Sequence, residues 1–188
     1  MSFSVKHLVR EELEAGLPEI RQSPADEGIL DLIVRRPRIG EREVLEEGTL
    51  DQSVGLVGDT WSERGSSRSR DGRAHPDMQI NIMNSRVIAL LAQDRDRWPL
   101  AGDQLFMDLD LSIANLPAGT RLEIGSATLE VTSQPHTGCE KFVSRFGLDA
   151  MKFVNSPLGR ELCLRGINAK VVRPGTIRAG DRVKVVRI

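Results

Sequence analysis

The sequence pattern predicts a mainly β fold, a closed or nearly closed barrel with helices inserted at its loops. Three observations carry that reading. The strand-like runs are short and bounded by turn residues. They do not alternate with helices in the regular way that a doubly wound parallel sheet requires. Residues 104–111 keep a period of two, with Leu105, Met107, Leu109 and Leu111 set against Phe106, Asp108 and Asp110, so one face turns to a core. A chain of 188 residues suffices for one hydrophobic core. The expected division is an N-terminal extension over residues 1–27, packed on a barrel domain over residues 28–188.

Taken in order, Leu8, Val9, Leu13 and Leu17 have the spacing of a short amphipathic helix, interrupted by Gly16 and Pro18. After a turn over residues 23–28, residues 29–34 read as a buried strand closed by Arg35, Arg36 and Pro37, and a second strand is expected over 41–45. Residues 49–56 are ambiguous and are expected to hold a turn of helix. Residues 62–75 are small and polar apart from Arg64, Arg68, Arg70 and Arg73, and cannot bury enough surface to offset chain entropy. They read as a solvated loop or as an anion-binding flap, since loop arginines suit phosphate. Residues 78–83 predict a buried strand, after which Ser85 caps a helix carrying Val87, Ile88, Leu90 and Leu91 and ending near Trp98 and Pro99.

The strands predicted over 122–124 and 127–131 flank Gly125-Ser126, a two-residue hairpin turn. A helix after Cys139 stops at Gly147, and another runs over 148–154. Ser156 and Pro157 open a third, with Ser as N-cap and Pro at the first helical position. Strands over 167–172 and 183–188 close the chain, joined by turns over 174–181.

Composition excludes several function classes. The 26 basic and 27 acidic residues leave a net charge of −1, so nothing points to wholesale binding of nucleic acid or a membrane surface. Aromatic residues are only 4% of the chain, too few for a stacking platform on single strands. No apolar run reaches the length of a bilayer span, and the first dozen residues carry Lys6, His7, Arg10, Glu11 and Glu12 rather than an apolar signal. Two cysteines, Cys139 and Cys163, make no disulfide scaffold, and a reducing, cytoplasmic setting is expected. There is no phosphate-binding Walker loop, nucleophile elbow, His-Glu-x-x-His or paired Cys-x-x-Cys, and His7, His75 and His136 are scattered.

Cys139 is the chemical lead. Thr137 and Glu140 have the Thr-x-x-Glu spacing of a capping box, which would place Cys139 in a first helical turn, where free N–H groups favour a thiolate. His136 and Lys141 push the same way, and a thiolate attacks electrophiles and binds soft metals. The opposite reading is equally local. Phe142, Val143 and Phe146 stand at three, four and seven residues from Cys139, an apolar stripe that would bury the thiol as a small hydrophobe.

The C-terminal half carries an ordered set of pieces: Asp108-Leu-Asp-Leu-Ser112, Gly119-Thr-Arg-Leu-Glu-Ile-Gly125, His136-Thr-Gly-Cys-Glu-Lys-Phe142 with Arg145-Phe-Gly147, Leu164-Arg-Gly-Ile-Asn168, and Gly180-Asp181. This order resembles the MOSC domain, named for the C-terminal domain of molybdenum cofactor sulfurases, over about residues 31–188. The resemblance implies a barrel of the pyruvate-kinase type with added helices, and places Cys139 at the family's cysteine. It further implies a molybdenum–pterin cofactor with Cys139 as metal ligand or sulfur carrier, reduction of N-hydroxylated compounds in some relatives, and a family-level association with pyridoxal phosphate. Thiolate ligation of a metal held by dithiolene sulfurs is chemically sensible. The chain departs from the family where Pro-Cys becomes Gly138-Cys139, Gly-Glu-Asn becomes Gly102-Asp103-Gln104, and His-Gly-Gly becomes residues 71–77.

Under this reading Cys139 is the catalytic residue, and His136, Lys141, Arg145, Arg165 and Asn168 are the candidates for holding the cofactor. Arg145 and Arg165 serve equally as ion-pair partners at the core edge, and Asn168 as a satisfied strand residue. The partners expected are a small-molecule cofactor and substrate and a redox partner protein. The competing reading is a non-catalytic binding module for a phosphate-bearing ligand or a protein.

Overall fold

The computed structural model describes residues 6–187. Two short helices, α1 (Arg10–Ala15) and α2 (Leu17–Ile20), precede β1 (Glu27–Arg35), β2 (Glu43–Leu45), β3 (Glu47–Asp51) and β4 (Gly55–Leu56). Then come β5 (Ile80–Asn84), α3 (Ser85–Ala92), β6 (Leu105–Asp108), β7 (Arg121–Ile124) and β8 (Ala127–Val131). Helices α4 (Glu140–Phe146), α5 (Leu148–Asn155) and α6 (Pro157–Glu161) lead to β9 (Ile167–Arg173), β10 (Gly175–Arg178) and β11 (Arg182–Val186).

Seven strands run β11-β7-β8-β9-β5-β6-β1, and β1 pairs back to β11 through Gly28 and Val183, closing a barrel. Closure leaves no open edge on those seven strands. All pairings in the barrel are antiparallel except β5 with β6. The predicted barrel is therefore what forms.

Alternation sorts each strand between two apolar cores. Leu30, Met107, Leu105 and Ile33 fill the barrel, while Leu32, Val34 and Phe106 face outward onto helices. Leu30 and Ile33 are three apart, which a strict period of two forbids. A bulge between Leu30 and Leu32, against Met107 and Phe106, supplies the missing step. The outer core joins Leu13 and Ile20 of the N-terminal helices to Val87, Ile88, Phe142, Phe146 and Phe153. The helices thus form a cap on one side of the barrel.

Local signals hold in several places. Gly125 adopts φ +54°, as the hairpin turn between β7 and β8 requires, and Ser156 caps α6 by accepting from the N–H of Gly159 at 2.9 Å. Other expectations are corrected. Residues 49–56 hold no helical turn but lie within the β3–β4 hairpin, and residues 174–181 include a strand, because β10 pairs with β3 across more than 120 residues. Neither partner is visible to a local window. Asn84, not Ser85, caps α3, accepting from the N–H of Arg86 at 2.7 Å and of Val87 at 3.3 Å. The strand expected over 104–111 ends at Asp108, which accepts from Arg86 at 2.8 Å, yet Leu109 and Leu111 still enter the barrel core. The strand expected over 78–83 starts at Ile80, after a tight turn at Pro76–Met78, and Ile188 of the last predicted strand lies outside the described residues. Among the described residues no helix is long and apolar enough to cross a membrane.

Candidate functional site

The link that brings the chain into β6 carries the most unusual chemistry. Asp103 is fully buried, and its Oδ2 accepts from Arg165 Nη1 at 2.7 Å. Arg165 also donates to the carbonyl of Ala101 at 2.9 Å and lies over the Phe142 ring at 5.0 Å. One residue on, Arg36 donates to the carbonyl of Gly102 at 3.0 Å while its other edge forms a two-pronged pair with buried Asp59 at 2.7 Å. Such planar, bidentate geometry is what a guanidinium does better than an ammonium. Arg36 also donates to Asn81 Oδ1 at 3.4 Å, Asn81 donates to Asn168 at 2.6 Å, and Asn168 donates to the carbonyl of Gln134 at 3.0 Å. A continuous polar network therefore runs from the loop after β1 to the loop after β8.

His136 closes this network. Its Nδ1 stands 3.5 Å from Asp103 Oδ1, and both atoms, with Arg165 Nε, are buried without a hydrogen-bond partner. Burial, with the charges of Arg165 and Arg36, holds His136 well below the usual imidazole range. Burial moves Asp103 the other way, above the usual carboxylate range, against the pull of Arg165. His136 is thus a neutral ring at physiological pH, and the expectation that it lends positive charge to Cys139 is corrected.

The pH consequence follows by linkage. A base whose folded value is depressed contributes stability above its unfolded value, near 6.5, and that stability is lost as pH falls. As pH falls through that value the wild type should lose stability through this group, because the unfolded chain takes up a proton that the folded chain does not. The raised value of Asp103 works with opposite sign, so the measurement is a comparison: denaturant unfolding of His136→Gln should show a flatter acid limb than the wild type. Equal limbs would count against a neutral His136.

Around the same link gathers positive charge. Arg42 donates to the carbonyl of Pro99 at 3.2 Å and Arg145 to that of Leu100 at 2.6 Å. Their guanidinium groups reach within 3.7 and 3.8 Å of the point where a side chain on Gly102 would begin. Partial burial, then the nearness of Arg145 and Arg36, pushes Arg42 below its ordinary value. Among the described residues no carboxylate pairs with Arg42, Arg64, Arg68 or Arg145. Arg64 lines a cleft of about 240 Å³ together with Arg36, Trp61, His75 and Asn81. Arg68 donates to the carbonyl of Pro135 at 2.8 Å, tying the arginine-rich loop to the segment before His136.

Cys139 is exposed and is itself the N-cap of α4, so the capping box expected between Thr137 and Glu140 is absent. The carbonyl of Cys139 accepts from the N–H of Phe142 at 2.9 Å and of Val143 at 3.1 Å, which starts the helix two residues later than the spacing of Thr137 and Glu140 suggests. Phe142 and Phe146 are buried, yet the thiol is not drawn in with them. Asn155 clamps the residue before it, accepting from Gly138 N–H at 2.9 Å and donating to the Gly138 carbonyl at 3.1 Å. Cys163 differs: it is half-buried, and burial, with Asp110, pushes its thiol up to about 11. At pH 8 only about one Cys163 in a thousand is thiolate. Alkylation of native protein at pH 8 should therefore label Cys139 far faster than Cys163, and equal rates would remove the distinction.

Of the residues singled out from sequence, the fold joins His136, Arg165 and Asn168 in one network and brings Arg145 to its edge. Lys141 and Cys139 are exposed and line none of the cavities described here. Arg36, Arg42, Asp59, Asn81 and Asp103 were not singled out from sequence. Their only sequence signal was Gly102-Asp103-Gln104, noted as a departure rather than as a site.

The model of the MOSC domain matches residues 70–184, more than half of the chain. Among solved structures, the YuaD protein of Bacillus subtilis superposes with a TM-score of 0.59 at 20% identity, over 85% of this chain and 95% of that one. YiiM of Escherichia coli gives 0.55 at 20% identity, over 85% and 70%. YiiM of Geobacillus stearothermophilus gives 0.51 at 14% identity, over 87% and 74%. No curated protein matches the chain. At these identities the solved structures speak for the fold, and the domain model speaks for descent: the chain belongs to the MOSC domain family.

Proposed function

We propose that this protein binds a molybdenum–pterin cofactor, with the arginine group at the Pro99–Gly102 segment receiving its anionic end and Cys139 supplying a sulfur ligand. The observation that carries the reading is the convergence of Arg42 and Arg145 on Gly102, beside Arg36, with no carboxylate among the described residues pairing the first two. Placing like charges together costs folding energy unless an anion neutralises them. The residues present suit such a group: a cationic cradle for phosphate, and an exposed thiol not held by any hydrogen bond in α4. When bound, the cofactor supplies two-electron oxygen-atom chemistry of the kind that reduces an N-hydroxylated compound.

The chain's own residues set the remaining terms. Cys139 must lose its proton to bind metal, so binding should strengthen as pH rises. Asn155 fixes the backbone of Gly138 and so orients Cys139. Asp103 Oδ1 and His136 Nδ1 face each other at 3.5 Å without a hydrogen bond, which leaves a carboxylate oxygen free to accept beside the ring.

Protein from a host that makes the cofactor should carry molybdenum by elemental analysis and release an oxidisable, fluorescent pterin. Arg42→Glu with Arg145→Glu should lower both by about tenfold or more, and Cys139→Ser should lower molybdenum while sparing the arginine cradle. Metal-free wild type from such a host would remove the proposal. One observation favours the second reading, a non-catalytic module for a phosphate-bearing ligand: the exposed thiol lies outside every cavity described here, whereas the arginine group is complete. Binding of a phosphate ester that is lost in Arg42→Glu, without molybdenum, would select it. The exposure of Cys139 also suits sulfur transfer to a partner, which a persulfide on Cys139 would reveal.

A further inference from the structure

A cavity of about 460 Å³ opens on the side of His136 and Arg165 where α6 meets the barrel. Leu116, Val131, Val154 and Ile167 supply much of its wall. Among the described residues no carboxylate lines it; its charged residues are Arg160 and Arg165. Arg165 is balanced by Asp103 behind it, but Arg160 is exposed and pairs with no carboxylate among the described residues. Two buried polar atoms of lining residues, Arg165 Nε and His136 Nδ1, have no hydrogen-bond partner. Cys163 also lines it, and with its thiol pushed up to about 11 it is uncharged at neutral pH. Apolar walls with a few converging polar groups describe a small-molecule site.

We infer that this cavity binds a small apolar carboxylate, its hydrocarbon part against the barrel wall and its anionic group towards Arg160 at the rim. At the ~30 Å³ that one water occupies in the liquid, the volume admits about fifteen heavy atoms. Asp110 stands near Cys163 but is not part of the lining, so no lining carboxylate would meet a cation, and a neutral molecule leaves Arg160 unmatched. The inference stands apart from the cofactor proposal, since it uses neither Cys139 nor the arginines near Gly102.

The probe is 4-phenylbutyrate, titrated by calorimetry against protein purified without cofactor, with 4-phenylbutanol and 4-phenylbutylamine as matched neutral and cationic analogues. The acid should bind best, and should slow alkylation of Cys163 in a Cys139→Ser background. Arg160→Glu, a surface change, should weaken the acid roughly five- to tenfold and leave the alcohol unchanged. Ile113→Trp, at the exposed rim, should weaken both. Absence of saturable binding, equal affinity for the amine, an unaltered acid affinity in Arg160→Glu, or unprotected Cys163 would each overturn the inference.

Discussion

Asp103→Ala is expected to destabilise the fold by about 3–5 kcal/mol. Arg165 would keep its buried position and its bond to the Ala101 carbonyl, but lose the carboxylate that neutralises it at 2.7 Å. A buried, unpaired guanidinium costs far more than the intact pair contributes, because the pair's attraction is largely offset by the cost of drying both charges. The two-residue change Asp103→Leu with Arg165→Met should therefore recover much of the loss. Urea unfolding of the three proteins checks both statements. A loss below about 1 kcal/mol for Asp103→Ala would mean that water reaches Arg165 and that the network is not dry.

Gly166→Ala should cost about 3–5 kcal/mol by a different route. Gly166 adopts φ +113°, where an L side chain is strained, and an added Cβ would sit 2.2 Å from the carbonyl oxygen of Ile82 on β5. That oxygen belongs to barrel backbone paired with β9, so it cannot swing aside as a side-chain tip would. The same Cβ would lie 3.4 Å from Asp103 Oδ1, so the damage reaches Arg165 and its partner. Gly180→Ala serves as the control. Its φ is +95° with nothing within 4 Å, so only backbone strain of about 1–2 kcal/mol remains. Thermal unfolding of both variants separates the terms, and similar losses would show that the contact with Ile82 relaxes cheaply.

The parts of this fold that could be read along the chain are those whose causes lie within a few residues. The alternation at Leu105 and Met107, the Gly125-Ser126 turn, the stop at Gly147 and the Ser156-Pro157 start each depend on neighbours at short spacing. Their order was also enough to suggest the family and its barrel. The α4 start was misread, even though it is local, because two caps compete there: Thr137 has the better capping chemistry, while the clamp of Asn155 on Gly138 holds the chain extended up to Cys139.

The strand at Gly175–Arg178 needed its distant partner to be recognised, since Thr176 and Ile177 are too short a run, between Pro174 and Gly180-Asp181, to stand out from a turn. The same holds for the candidate site. Asp103 and Arg165 meet across 62 residues, and Arg36 and Asp59 across 23. In sequence each is one charged residue among many, and the ordinary expectation for a charge is the surface. By itself the sequence determined most of the segments that extend or coil and, through their order, that they form a barrel. Only the tertiary structure decided which charges are buried, that Cys139 faces outward while His136 turns inward, and where positive charge accumulates without a partner. The physical reason is that periodicity and capping are properties of a segment, whereas burial and charge balance belong to the closed barrel that the segments form together.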